Sequence, residues 1–299
     1  MTRDEQRAKA ERFLALHHAP PLLVLANAWD VVSARLFQLH GFRAIGTTSA
    51  GIAATLGYPD GQRMGLEENL AVVRRIAQRI DLPVSADIEA GYSHTVEGVV
   101  RAAREVMRAG AVGLNLEDAT GRPSEPLFDV SSQAEKIAAV RATARSEGIP
   151  LVINARTDVL LHPRGETADL IPEVIARANA YVQAGADCAF VPDGAGLDRR
   201  AIGLLVKEIA APVNLIAGPG VPPLRELEEL GVARVSFGPR MMRATLAQLG
   251  KMAREVLDRG TFSSFTGEAL SYADVNGMLE HDDRGYCAGL PPGGLPGAA

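Results

Sequence analysis

The sequence predicts one α/β domain, a closed (β/α)8 (TIM) barrel over residues 1–260, followed by a C-terminal helical extension and flexible tail over 261–299. Three observations carry this expectation. Eight short apolar runs alternate with helical patterns along the chain. Several runs are apolar on both faces, as parallel strands buried beneath helices are. Gly41, Gly110, Gly148, Gly185 and Gly231 each stand just past a helical pattern and before the next run, the place of a left-handed helix stop. A doubly wound open sheet is the alternative, but its first turn is usually Gly-rich and the first turn here reads NAWD.

In order, after an N-terminal helix, Leu22–Asn27 precedes the helical Val31–His40, and Ala44–Thr47 leads through a long loop to Leu66–Arg79. Pro83–Asp87 precedes Thr95–Ala109, and Val112–Glu117 precedes Ser132–Glu147. The second half repeats the scheme: Leu151–Ala155 with Ala168–Ala184, Cys188–Val191 with Leu197–Ile209. Pro212–Ile216 with Pro222–Leu230 and Arg234–Phe237 with Met242–Arg259 complete eight units. Beyond them, Tyr272–Leu279 reads as a short helix and Ala288–Ala299 as disordered.

The composition narrows the function. The 299 residues carry a net charge of −5 with no block of like charges and no basic, aromatic-interleaved stripe, which argues against nucleic acid. No apolar run approaches the ~20 residues of a membrane span, and the charged N-terminus lacks a signal peptide's apolar core. Two cysteines make no disulfide framework. The chain reads as cytoplasmic.

A barrel of this kind places chemistry at the C-terminal ends of its strands. There stand Asn27 and Trp29, Thr47 to Gly51, Asp87 and Glu89, Glu117 and Asp118, then Asn154, Arg156 and Asp158. Asp87 and Glu89, two apart, point the same way if the backbone stays extended, and Glu117 stands level on the next strand. Such a cluster is hard to desolvate without a cation. Oxygen ligands without His or Cys favour Mg²⁺ or Mn²⁺. Solvation, or pairing with Arg156, is the plainer reading of the same acids, and the better one for Asp118. Arg156 suits a substrate carboxylate or an ion pair with Glu117 or Asp158. The small-residue segment at Thr48, Ser49 and Ala50 offers hydroxyls and amides for another carboxylate. Trp29 reads as the edge of the site, His94 as a solvated loop residue and Cys188 as a buried apolar one.

Together these segments resemble the isocitrate lyase/phosphoenolpyruvate mutase superfamily from about Leu22 to Arg243. The stretch TTSAGIAATLGYPDG places Asp60 on the family's acidic position. DIEAGY matches D-A-D-x-G-Y with Glu89 in place of the second Asp, GLNLED carries Glu117, and NARTD carries Arg156. The resemblance implies Mg²⁺ held by Asp87, Glu89 and Glu117, with Asp60 in the outer metal shell. It implies a substrate bound by Thr48, Ser49, Ala50 and Arg156, near Trp29, Asn154 and Asn214. It also implies an oligomer, dimer or tetramer, that exchanges its C-terminal helix.

The family's lyases carry a K-K-C-G-H loop after the fourth strand, whereas this chain has ATGRPSEPLFDVSS, with no Cys, Lys or His. The implied reaction is therefore C–C cleavage of a small 2-oxo or 2-hydroxy acid through an enolate. It is either oxaloacetate-decarboxylase-like, since water can protonate an enolate, or isocitrate- or methylisocitrate-lyase-like. P–C bond chemistry on phosphonopyruvate is the alternative, with AGPG and FGPR and its Arg240 near the mouth. A barrel that only binds a ligand is the third reading.

Overall fold

The computed structural model describes residues 1–192, 196–267 and 269–280. Asp193, a loose counterpart of the family's glutamate after the sixth run, and the tail expected to be disordered lie outside the described residues.

Helix α1 (Arg3–Ala15) opens on a capping box between Thr2 and Glu5, the side-chain exchange that satisfies free amides at a helix start. The first half then runs β1 (Leu23–Ala28), α2 (Val31–Leu39), β2 (Ile45–Thr47), α3 (Ser49–Thr55), α4 (Leu66–Arg79), β3 (Val84–Asp87), α5 (Val96–Arg108) and β4 (Gly113–Glu117). A hairpin of β5 (Ala119–Arg122) and β6 (Glu125–Leu127) follows. The second half comprises α6 (Val130–Ser146), β7 (Val152–Arg156), α7 (Thr167–Gln183), β8 (Cys188–Val191) and α8 (Arg199–Glu208). It ends with β9 (Val213–Ile216), α9 (Leu224–Glu229), β10 (Arg234–Ser236), α10 (Arg240–Arg259) and α11 (Tyr272–Leu279).

Eight strands close a parallel ring in the order β1-β10-β9-β8-β7-β4-β3-β2. The barrel is the one the alternation predicts, and the five stop glycines all have positive φ, between 66° and 112°. Two elements were not legible: α3 lies inside the expected loop after β2, and the β5–β6 hairpin adds no strand to the barrel.

The barrel floor is plugged from α1. Phe13 is fully buried, and its ring lies 2.7 Å from where a Cβ of Gly113 would stand, so only glycine admits it there. Apolar residues between the strands and the helices form two large clusters, one mostly from the first half of the chain and one mostly from the second, and Ile52, Ala53 and Met64 form a small third. Inside the ring runs a polar layer. Asn154 donates to Asn115 Oδ1 at 2.8 Å, and Ser236 Oγ donates to Asn214 Oδ1 at 3.3 Å.

At the C-terminal end α10 leaves Leu246, Leu249 and Leu257 exposed. Glu255 accepts hydrogen bonds from Thr261, Ser263 and Ser264 and fixes the turn that leaves the helix. Helix α11 spans the residues the sequence indicates and packs on α2, where Arg35 Nε donates to the Met278 carbonyl at 2.6 Å. No described helix is long and apolar enough to cross a membrane.

Candidate active site

The C-terminal strand ends surround a cavity of about 190 Å³, which opens into a vestibule of about 560 Å³ under the hairpin. Asp87, the last residue of β3, stands at the inner cavity and is held on three sides. Its amide donates to Thr47 Oγ1 at 2.9 Å, and its carbonyl accepts from Asn69 Nδ2 at 2.9 Å. Its Oδ2 accepts from both the amide and the hydroxyl of Ser49, at 2.9 and 2.8 Å. The Ser49 amide is at the N-terminus of α3, where backbone donors and the helix dipole favour an anion. Asp87 Oδ1 is buried and has no hydrogen-bond partner in the structure.

A buried carboxylate oxygen without a donor is costly unless something positive meets it. This is the observation that tests the metal. Among the described residues no three His, Cys, Asp or Glu side chains form a direct ligand cage. Mg²⁺ commonly takes one or two carboxylates and keeps several waters, so one fixed, free oxygen beside a roomy cavity fits it.

The other acids sit around this oxygen at different depths. Glu89 does not continue β3: its φ is +51°, in the left-handed region, and Tyr92 follows at +55°. The expected same-side pairing of Asp87 and Glu89 therefore does not arise, because period-two alternation ends with the strand. Asp87 faces the inner cavity and Glu89 the vestibule. Burial, then the charges of Asp87 and Asp60, push the Glu89 carboxyl up to about 8. Asp60 borders both spaces, and its carboxyl is raised by desolvation.

Glu117 closes β4 directly opposite Arg156 on β7 and pairs with it at 2.9 Å. Burial pushes the Glu117 carboxyl up, against the pull of Arg156. Arg156 also grips Asp158 with two donors, at 2.5 and 2.8 Å. Burial opposes its charge, and Glu117 and Asp158 more than offset that, so it is held protonated. Both expected ion pairs exist, and Arg156 still lines both spaces.

Thr48, Ser49 and Ala50 line the inner cavity as expected, but the donors of Ser49 serve Asp87 rather than facing an empty site. Trp29 packs behind α3 against Ile52, Ala53 and Met64 and does not line either space. Asn154 and Asn214 are fully buried in the barrel interior and do not line either space. His94 is exposed, its ring edge-on to Phe128 at 5.2 Å. Cys188 is buried and its thiol is pushed up to about 12 by desolvation, so it is no nucleophile.

The far wall was least legible. Asn27 Oδ1 accepts from the amides of Phe237 and Gly238, at 2.8 and 2.9 Å, and Asn27 Nδ2 donates to the Thr47 carbonyl at 3.0 Å. One side chain thus pins the turn after β10 to the ends of β1 and β2. That turn delivers Arg240 to the cavity, where Phe190 and Ile216 supply an apolar surface.

A family model for phosphoenolpyruvate phosphomutase matches residues 13–257. An uncharacterised protein of Mycobacterium tuberculosis is 38% identical over 274 residues, covering 91% of this chain and 98% of its own. The 2-methylisocitrate lyase of Escherichia coli is 34% identical over 184 residues, 59% of each chain. A crystal structure from Burkholderia cenocepacia, provisionally called a lyase/mutase, superposes with a TM-score of 0.87 at 37% identity. It covers 94% of this chain and 98% of that one.

Proposed function

The chain belongs to the phosphoenolpyruvate phosphomutase family of lyases and mutases, and from that premise we propose that it is a divalent-metal-dependent C–C lyase or decarboxylase acting on a small 2-oxo or 2-hydroxy acid through an enolate. The observation that carries this reading is the buried, partnerless Asp87 Oδ1 beside the cavity. Asp87 would hold Mg²⁺ directly, with Asp60, Glu89 and Glu117 reaching it through water. The ion supplies Lewis-acid stabilisation of negative charge developing on the substrate's 2-oxygen.

The chain's own residues do the rest. Ser49 and Thr47 hold Asp87 in one orientation, so little reorganisation accompanies reaction. Thr48 and Ala50 border the substrate's carboxylate end, and Arg156 keeps donors for an anionic group beyond its two ion pairs. In a 2-oxo acid the C3–C4 bond breaks, its electron pair passes into the enolate of the 2-oxo group, and a proton returns to C3. In a 2-hydroxy acid the 2-hydroxyl gives its proton to water and becomes the carbonyl of one product, while the electron pair of the C2–C3 bond passes to C3 and its carboxylate and is then protonated there. The hairpin residues facing the vestibule, Gly121, Arg122 and Pro123, offer no ordinary side-chain acid, so the proton comes from water or from Glu89, whose raised carboxyl faces the same vestibule.

Turnover of oxaloacetate, 2-methylisocitrate, isocitrate, phosphonopyruvate and citramalate with Mg²⁺ or with EDTA tests the reading. Metal-dependent release of pyruvate, glyoxylate or CO₂, lost in Asp87→Ala, is expected. Cleavage of phosphonopyruvate alone would replace it with P–C chemistry. Metal binding without any turnover would leave a ligand-binding barrel. The exposed leucines of α10 support a homo-oligomer, and a monomeric mass by light scattering would overturn that part.

A further inference from the structure

Arg156 is not the only cation at the cavity. Arg240, half-buried at the start of α10, lines the same space as Asp87 and Arg156. The ring order places β10, which feeds Arg240 into the mouth, four strands from β4 on a ring of eight, and so diametrically across from Glu117. Asp87 at the end of β3 and the guanidinium after β10 line one cavity from opposite parts of the ring. Between them Phe190 and Ile216 contribute carbon surface.

The guanidinium has a built seat. Its atoms lie 2.6–3.1 Å from where a Cβ of Gly218 would stand, so a side chain there would dislodge it. The backbone that carries it is fastened by the two amides bonded to Asn27 Oδ1. Arg156 already spends three contacts on Glu117 and Asp158.

We propose that Arg240 is the specificity-determining anchor for the distal carboxylate of a dicarboxylic acid whose 2-oxo or 2-hydroxy end lies at Asp87. This rests on the reading of the metal end given above. A planar guanidinium matches a carboxylate in a bidentate pair. A phosphonate would call on more donors, and Pro219 and Pro239, which flank Gly218 and Arg240, supply no amide. The apolar surface suits the methylene carbons that join the two ends. Arg240 selects among acids; it does not take part in bond cleavage.

The test compares probes that differ by one group. Racemic malate and racemic lactate share the 2-hydroxy acid end, and only malate has the distal carboxylate; oxalate covers the metal end alone. Each is titrated by calorimetry into the Mg²⁺-loaded full chain. Wild type should bind malate roughly 10- to 100-fold tighter than lactate, as a charge-assisted hydrogen-bonded pair provides. Arg240→Gln should bring malate down to the level of lactate while leaving lactate and oxalate within about twofold. Gly218→Ala, which unseats the guanidinium without removing it, should cause a smaller loss confined to malate. Equal weakening of malate and lactate, or unchanged malate binding, would overturn the proposal while the metal end stands. If oxalate does not bind wild type with Mg²⁺, the reading of the metal end fails and the proposal falls with it. Tighter binding of phosphonopyruvate than of malate, dependent on Arg240, would overturn the carboxylate in favour of a phosphonate.

Discussion

Glu117 and Asp118 are neighbours in sequence and opposites in use. Asp118 points outward from the barrel and is fully buried among four donors: the Thr157 hydroxyl at 2.8 Å, the Asp158 amide at 2.8 Å, Tyr181 Oη at 2.8 Å and Arg177 Nη1 at 3.2 Å. Its charge is spent on binding β4 to β7 and α7. Inward, Glu117 joins Asp87, Glu89 and Asp60 around open space, where one ion pair and one free oxygen leave charge unspent. A carboxylate saturated with donors maintains a fold; a group of under-satisfied ones waits for a cation. Raised carboxyls mark burial in both regions, so the partners decide the role.

Four measurements can break or sharpen that contrast. Asp118→Ala leaves the buried Thr157 hydroxyl, Asp158 amide and Tyr181 hydroxyl without their acceptor, while the half-buried Arg177 keeps Glu173, and should cost about 1–3 kcal/mol of stability. Activity per folded molecule should change little, and a stable but inactive variant would blur the distinction. Asp87→Ala should do the reverse. Its turnover should fall roughly 10²–10³-fold, while its melting temperature in EDTA stays at or above that of wild type. Ser49→Ala loosens one of two donors on Asp87 and should cost about 10- to 100-fold in metal affinity or activity, read by titrating Mg²⁺ against rate. An unchanged titration would mean that Ser49 does not position Asp87.

The smallest effect is on pH. The folded Glu89 carboxyl titrates near 8, whereas an unfolded one titrates near its ordinary 4.5. Between those values the folded state keeps a proton that the unfolded state has lost. Stability of the metal-free protein should therefore be greatest below the lower value and decline as pH rises through the window, by several degrees of melting temperature. Glu89→Gln should flatten the decline, and an identical slope in the variant would remove Glu89 as its cause.

The barrel was legible because buried parallel strands, helical periodicity and stop glycines repeat eight times. The acids were legible because strand ends concentrate chemistry. What escaped depended on local geometry without periodic signature. Helix α3, SAGIAAT, is short, small and largely buried, so it shows no amphipathic stripe. Glu89 turns left-handed where alternation would have kept it beside Asp87. The hairpin's TGRPSEP reads as a loop because its pairing uses a turn and few apolar residues. Arg240 was legible in FGPR as an anion ligand for P–C chemistry, and only the ring order set it across from the acids.

The β5–β6 hairpin bears on how such a protein can diverge. It begins after β4 is complete, closes on itself where the Phe128 amide donates to the Asp118 carbonyl at 2.8 Å, and returns to α6 without pairing to the ring. Substitutions or insertions at its tip would leave the barrel's hydrogen bonds intact while altering what faces the vestibule. Selection can thus rewrite the chemistry above the metal end with little penalty to folding. The same freedom does not extend to Asp118, one residue earlier, where inheritance of the scaffold is enforced.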